Sequence, residues 1–229
     1  MVTRESIRIA FLIAALNEVD ILSANIGNAY LQAPAREQVH TTAGPEFGLS
    51  RIRETVIIVR VMYGLKTSGA AWHAQLSETL HSMNFKPSLA DRDVWYRAAC
   101  KENGFEYYEY LLVYVDDILA ISHQPRVIME TIRKQYRLKE EPAPPKQYIG
   151  AVIKPWSIPN ETRQVWSMNS SNYIKEALRC LEMELGKAGK ILKGKPSTPM
   201  RPDYRPGLNV SPVLDPDQAN YYMSLIGIL

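Results

Sequence analysis

The sequence predicts an α+β fold in which an antiparallel sheet carries helices on one face. Helical and strand-like patterns alternate along the chain, as a mixed fold requires. Two β-prone runs, residues 105–115 and 118–122, are separated only by Asp116 and Asp117, the length of a tight hairpin loop, which argues against an all-parallel sheet. With 46% hydrophobic and 22% charged residues among 229, the chain has ordinary core material for one large domain or a domain plus a smaller lobe.

Taken in order, residues 3–16 read as a capped core helix and residues 18–26 as a strand. Residues 55–62 are rich in β-branched side chains and read as a second strand. Ser68 is placed to cap a helix running to Met83, because Trp72, Leu76, Leu80 and Met83 recur at helical spacing; that stripe reads as core packing. After the hairpin, Pro125 opens a helix with Ile128, Ile132 and Tyr136 on one face, and Pro142, Pro144 and Pro145 end it. A short strand is expected over 148–153 and another over 166–168. Residues 171–185 then read as a helix with Ile174, Leu178, Leu181 and Leu185 inward. Six prolines between 194 and 218 mark an extended linker, and the apolar last eleven residues stop on Leu229 without a cap, as in a helix interrupted partway.

Several chemistries are excluded early. Cys100 and Cys180 are too few for a disulfide framework or a Cys-rich zinc site, and His40, His73, His81 and His123 lack the HExxH spacing. The spacing Gly64 to Gly69 is that of a phosphate-binding loop, but Ala70 and Ala71 stand where Lys and Ser/Thr are needed. The longest apolar run, Ile9 to Leu16, is far short of the roughly 20 residues that span a bilayer. That run follows Arg4 and Arg8 and would also suit a secretory leader, a reading to which sequons at Asn160, Asn169 and Asn209 add.

The formal net charge of +3 is unevenly spread: residues 171–205 hold eight basic against four acidic side chains. A basic lobe suits a polyanion, since clustered Lys and Arg release phosphate counterions; a solvated helix and loop explains the same charges. In Tyr114-Val-Asp-Asp117, two adjacent carboxylates sit at the tip of an apolar hairpin. Such a concentration of negative charge is costly without a cation, although aspartates are also common in plain turns.

Tyr114-Val-Asp-Asp117 in this setting resembles the catalytic signature of reverse transcriptases. Asn25-Ile-Gly-Asn-Ala-Tyr30 is similar to their first metal-binding motif, and Met62-Tyr-Gly-Leu-Lys66 followed by Trp72 resembles a stretch of copia-type LTR retrotransposon polymerases. Residues 91–95, 147–150, 166–168 with Tyr173-Ile174, 197–199 and 222–227 resemble successive landmarks of that family. The resemblance implies a reverse-transcriptase palm over residues 1–158 with a ferredoxin-like antiparallel sheet. A primer-grip strand and basic thumb helix would follow over 159–193, then a linker over 194–218 and the start of a next segment over 219–229.

It implies nucleotidyl transfer with two Mg²⁺ ions, with Asp116 the principal ligand and Asp117 in support. Tyr30 would stack under the deoxyribose, and Gly64 and Lys66 would lie near the nucleotide. Trp166, Ser167 and Met168 would form a turn gripping the primer, and Lys175 and Arg179 would follow the nucleic-acid backbone. The implied partners are an RNA or DNA template-primer, dNTPs and other parts of a Pol polyprotein, inside the cell and without a membrane.

The family's first motif begins with aspartate; Asn25 stands there instead. Loss of one carboxylate removes a charge pair worth about 4 kcal/mol near a surface, and about 1.4 kcal/mol is tenfold in rate, so activity is expected to be impaired. Asp20, an odd number of residues away on the same strand, points to the opposite face. The finger region and RNase H domain of the family have no counterpart in the sequence, which reads as a palm and thumb fragment. Two alternatives remain at this point: a catalytically dead nucleic-acid-binding remnant, and an unrelated secreted α+β protein.

Overall fold

The computed structural model describes residues 2–159, 164–187, 189, 191, 210 and 212–226. It divides into two compact units, Met1–Asn169 and Ser170–Leu229. The first is a mixed helix and sheet unit with antiparallel sheets, as the composition and hairpin spacing predict.

In order, the first unit contains α1 (Arg4–Leu16), β1 (Asp20–Asn25), α2 (Ala29–Gln32), β2 (Pro34–Thr42), β3 (Thr55–Arg60), α3 (Ser68–Ser82), β4 (Lys86–Pro87) and β5 (Val94–Cys100). These are followed by β6 (Glu106–Tyr114), β7 (Asp117–Ser122), α4 (Pro125–Arg133), β8 (Gln147–Tyr148), β9 (Ala151–Ser157) and β10 (Gln164–Asn169). The main sheet has the order β1-β7-β6-β5-β4, with β10-β9-β8 and β2-β3 as smaller sheets. Among the described residues every strand pairing is antiparallel.

The expectation of helices on one face needs correction. Side chains of β6 and β7 alternate between two cores. Leu111, Val113, Ile118 and Ala120 join Trp72, Leu76 and Leu80 of α3 and Ile128, Met129 and Ile132 of α4. Leu112, Leu119 and Ile121 face the other way, onto Ile7, Phe11 and Ala14 of α1 and Ile153 of β9. A sheet covered on both faces needs apolar residues at every position of its central strands, which is why the sequence around the hairpin is an unbroken apolar run and not an alternating one.

Local ends follow capping chemistry. Thr3 Oγ1 accepts the Ser6 N–H at the start of α1. Thr67 holds the N-cap position of α3, one residue before the expected cap, without a side-chain cap bond, while the Ser68 hydroxyl donates to the Met62 carbonyl at 2.6 Å. The single strand expected over 148–153 is a tight hairpin: Tyr148 pairs with Ala151, and Ile149 (φ 47°) and Gly150 (φ 73°) both take the left-handed backbone such a two-residue turn requires.

The second unit contains α5 (Ser171–Lys187) and α6 (Pro216–Ile226). Asp215 Oδ1 accepts the Gln218 N–H and Pro216 opens α6, a cap followed by a residue that has no N–H to lose. The inward face expected on α5 is not buried: Ile174 is 55% and Leu178 46% exposed. Most of the proposed linker, with residues 197–199, and the sequons at Asn160 and Asn209 lie outside the described residues.

Candidate functional site

Tyr114 pairs with Asp117 across the β6–β7 hairpin, so the two-residue loop is Val115-Asp116, one position earlier than the expected tip at Asp116-Asp117. Asp117 is therefore the first residue of a strand and Asp116 the second residue of the turn. Val115 has φ 56°, a conformation that a β-branched residue adopts only when its surroundings impose it. Two hydrogen bonds do so here. The Trp72 indole N–H donates to the Val115 carbonyl at 2.7 Å, and the Ile26 N–H donates to the Asp116 carbonyl at 2.7 Å. Trp72 is itself fixed by burial and by the edge-on ring of Tyr136 at 5.2 Å. The helical stripe marked Trp72 as core; nothing local in the sequence marked it as the donor that holds the turn.

β1 lies beside β7 with Asn25 directly opposite Asp117. The three side chains expected at the site thus meet. Asn25 Nδ2 donates to Asp117 Oδ1 at 2.6 Å and to Asp116 Oδ2 at 3.3 Å, while Asn25 Oδ1 is buried without a hydrogen-bond partner. Asp20 pairs with Ser122 at the far end of the strand, remote from the carboxylates. A residue not expected at the site is Lys139, whose Nζ lies 3.6 Å from Asp116 Oδ2. Asn25, Asp117, Lys139, Lys146 and Tyr148 border a cleft of about 430 Å³. Burial pushes the Tyr148 phenol well above its ordinary range, and the Asp117 charge adds to this; its hydroxyl donates to the Leu112 carbonyl.

A pair of dications needs anionic or neutral oxygen donors turned toward them. The set present offers two carboxylates whose inner oxygens already accept from an amide N–H. Among the described residues no three His, Cys, Asp or Glu side chains converge on one point. As folded, the donor set does not fit two metal ions.

The other expected residues are distributed as follows. Tyr30 on α2 packs its ring 4.6 Å from that of Tyr63. Gly64 has φ 97° with open space where a Cβ would stand, and Lys66 is exposed beside it. Trp166, Ser167 and Met168 form no turn: they lie within β10, paired with Pro155, Lys154 and Ile153. Trp166 and Met168 pack against the α1 core, and only Ser167 is exposed. By its pairing β10 belongs with the first unit. On α5, Lys175 is exposed, whereas Arg179 is held by Glu176 through two hydrogen bonds of 2.9 and 2.5 Å.

Fold and site together define an antiparallel α+β protein that presents an amide and a carboxylate on adjacent strands and a second carboxylate in the strained hairpin turn beside them. Residues 1–190 match the family described as reverse transcriptase (RNA-dependent DNA polymerase), and the chain belongs to that family. It is 29% identical over 129 residues to the retrovirus-related Pol polyprotein from transposon RE1 of Arabidopsis thaliana, a match covering 56% of this chain and 8% of that protein. The corresponding protein from transposon RE2 of the same plant is 28% identical over 129 residues, again 56% of this chain and 8% of the relative. A truncated transposon Ty1-A Gag-Pol polyprotein of Saccharomyces cerevisiae is 26% identical over 126 residues, 54% of this chain and 10% of the relative. The matched segment is thus a tenth or less of each relative. Membership of this family does not favour the unrelated secreted-protein reading. Among the described residues, no helix is long and apolar enough to cross a membrane.

Proposed function

We propose that this chain is the palm-bearing part of a copia-type transposon's reverse transcriptase domain, working inside the cell on an RNA or DNA template-primer and dNTPs, with nucleotidyl transfer impaired by Asn25. The observation that carries the impairment is the amide lying across from Asp117 in register and donating to both carboxylates. Family members are in general divalent-metal dependent. The folded arrangement does not fit two such ions; Asp116 and Asp117 would be free to hold Mg²⁺ only if the Asn25 amide gave up these hydrogen bonds.

In this reading residues 1–158 form the palm and 159–193 carry the primer-facing strand and thumb helix, with 194–218 a linker and 219–229 the start of a further segment of a Pol polyprotein. Tyr30, braced by Tyr63, lies beneath the nucleotide sugar, and Gly64 and Lys66 border its phosphates. Of Trp166, Ser167 and Met168, the exposed Ser167 faces the primer while its neighbours anchor the strand. Lys175 contacts the nucleic-acid backbone, and Arg179 does so once it exchanges Glu176 for phosphate.

The test is binding of a labelled primer-template by anisotropy across a salt series, with single-nucleotide extension in parallel. Binding that weakens steeply with salt is expected, together with weak or absent extension. Asn25→Asp is expected to raise extension by on the order of a hundred- to a thousand-fold. Efficient extension by the unaltered chain, or no affinity for any primer-template at low salt, would overturn the reading.

A further inference from the structure

After α4 the chain returns along the outer edge of β1. The Gly27 N–H donates to the Arg137 carbonyl at 2.8 Å, the Lys139 N–H to the Asn25 carbonyl at 2.8 Å, and the Ser23 N–H to the Ala143 carbonyl at 2.8 Å. The Ala143 N–H returns a bond to the Ser23 carbonyl at 3.1 Å. These backbone bonds fix Lys139 at the level of the hairpin turn, where Asp116 Oδ2 lies between its ammonium at 3.6 Å and the Asn25 amide at 3.3 Å. The same amide takes Asp117 Oδ1 at 2.6 Å. Glu141, on the same returning segment, is turned to Arg133 at 2.6 Å.

Both carboxylates therefore accept hydrogen bonds from the chain's own amide, and Asp116 also faces an ammonium. Their inner oxygens face N–H donors and an ammonium, and the amide oxygen that a cation would need is turned away and left without a partner. We infer that Asn25 and Lys139 together stand in for the metal ions at this hairpin, so that the carboxylate pair is held in place without any divalent cation. The inference rests on the geometry of these four side chains and not on whether the chain binds nucleic acid or extends a primer.

It predicts how the whole chain responds to metal alone. The thermal midpoint of the unaltered protein should be the same in EDTA and in millimolar MgCl₂ or MnCl₂, and a Mn²⁺ titration followed by electron paramagnetic resonance should show no saturable site. The Asn25→Asp/Lys139→Met double variant gathers three carboxylates and removes both the amide and the ammonium that contact them. Its midpoint should fall in EDTA and recover with Mn²⁺, and its Mn²⁺ affinity should rise by on the order of a hundredfold. Lys139→Met alone, which leaves the hydrogen-bonded amide in place, should give a smaller gain in Mn²⁺ binding. A saturable Mn²⁺ site in the unaltered chain, a midpoint that Mg²⁺ raises, or no gain in Mn²⁺ affinity in the single and double variants would each overturn the inference. Because none of these measurements contains nucleic acid, their outcome is separate from that of primer extension.

Discussion

Val115 is the residue on which the hairpin turns, and it is held rather than preferred there. A β-branched side chain at φ 56° costs on the order of 1–3 kcal/mol, met by Trp72 and by the packing of both neighbouring strands. Trp72→Phe keeps an aromatic ring in the core but removes the indole donor and opens a small cavity. The free energy of unfolding should fall by about 2 kcal/mol in a urea titration, where an unchanged midpoint would show that the turn needs no such donor. Asp91 gives a pH-dependent counterpart. Burial pushes its carboxyl up, but hydrogen bonds from the Ser6 hydroxyl and from the Thr3 and Asp93 N–H groups outweigh this and hold it below the ordinary 3.8. A lowered carboxyl stabilises the fold above its unfolded value and loses that contribution as pH falls through the folded one. The stability difference between the unaltered chain and Asp91→Asn should thus be present at neutral pH and vanish in acid below the ordinary carboxyl range, as read by denaturant midpoints at each pH.

Asn25, Asp116 and Asp117, which the fold brings together, each sit in a short motif of the sequence. Lys139 does not: it is 22 residues beyond Asp117, and only the return of the chain along β1 brings it back. The hairpin tip was misplaced by one residue for a related reason. Asp-Asp carries the local turn chemistry, whereas the actual loop puts a valine at positive φ, which no propensity favours.

At the level of elements, α3 shows how an end is set. Asn84 follows the helix with φ 64°, the Phe85 N–H donates to the Leu80 carbonyl at 3.0 Å, and the Asn84 N–H to the His81 carbonyl at 2.9 Å. This is the paired C-terminal bonding that requires a left-handed residue just past the helix. Asn84→Gly should therefore leave stability within about 0.5 kcal/mol, whereas Asn84→Val should lower it by about 1 kcal/mol or more, because a β-branched side chain resists that backbone. Equal effects of the two substitutions on the thermal midpoint would refute the assignment. The helical spacing that runs to Met83 puts this end within a residue, but the sequence hides the 149–150 turn, where Ile149 offers no turn chemistry. Likewise the strand at 166–168 was readable, while its partner and the side that faces inward depended on β9 and α1.

For the molecule as a whole, the decisive feature of the first unit is a single sheet with a core on each face. The sequence pattern pointed to the α+β class but placed helices on one face only; the unbroken apolar run of β6 and β7 was the signal for a second covered face. Leu111 and Leu119, both fully buried, belong to opposite cores yet lie on paired strands. Leu111→Ala and Leu119→Ala should each cost about 2–5 kcal/mol. Each should also shift the unfolding curve of the unit as one transition, whether followed by tryptophan fluorescence or by far-ultraviolet dichroism. Separate transitions in the two variants would mean that the cores melt independently.

The segment that returns after α4 has a consequence unrelated to charge. β1 ends the main sheet on one side, and an uncovered edge strand is a template on which another molecule can add its own strand. Here the outward N–H of Ser23 and of Gly27 and the outward carbonyls of Ser23 and Asn25 are already bonded to residues 137–143. The stretch that delivers Lys139 to the hairpin thereby caps the sheet against growth, so loosening it would expose a sticky edge as well as an unbalanced carboxylate.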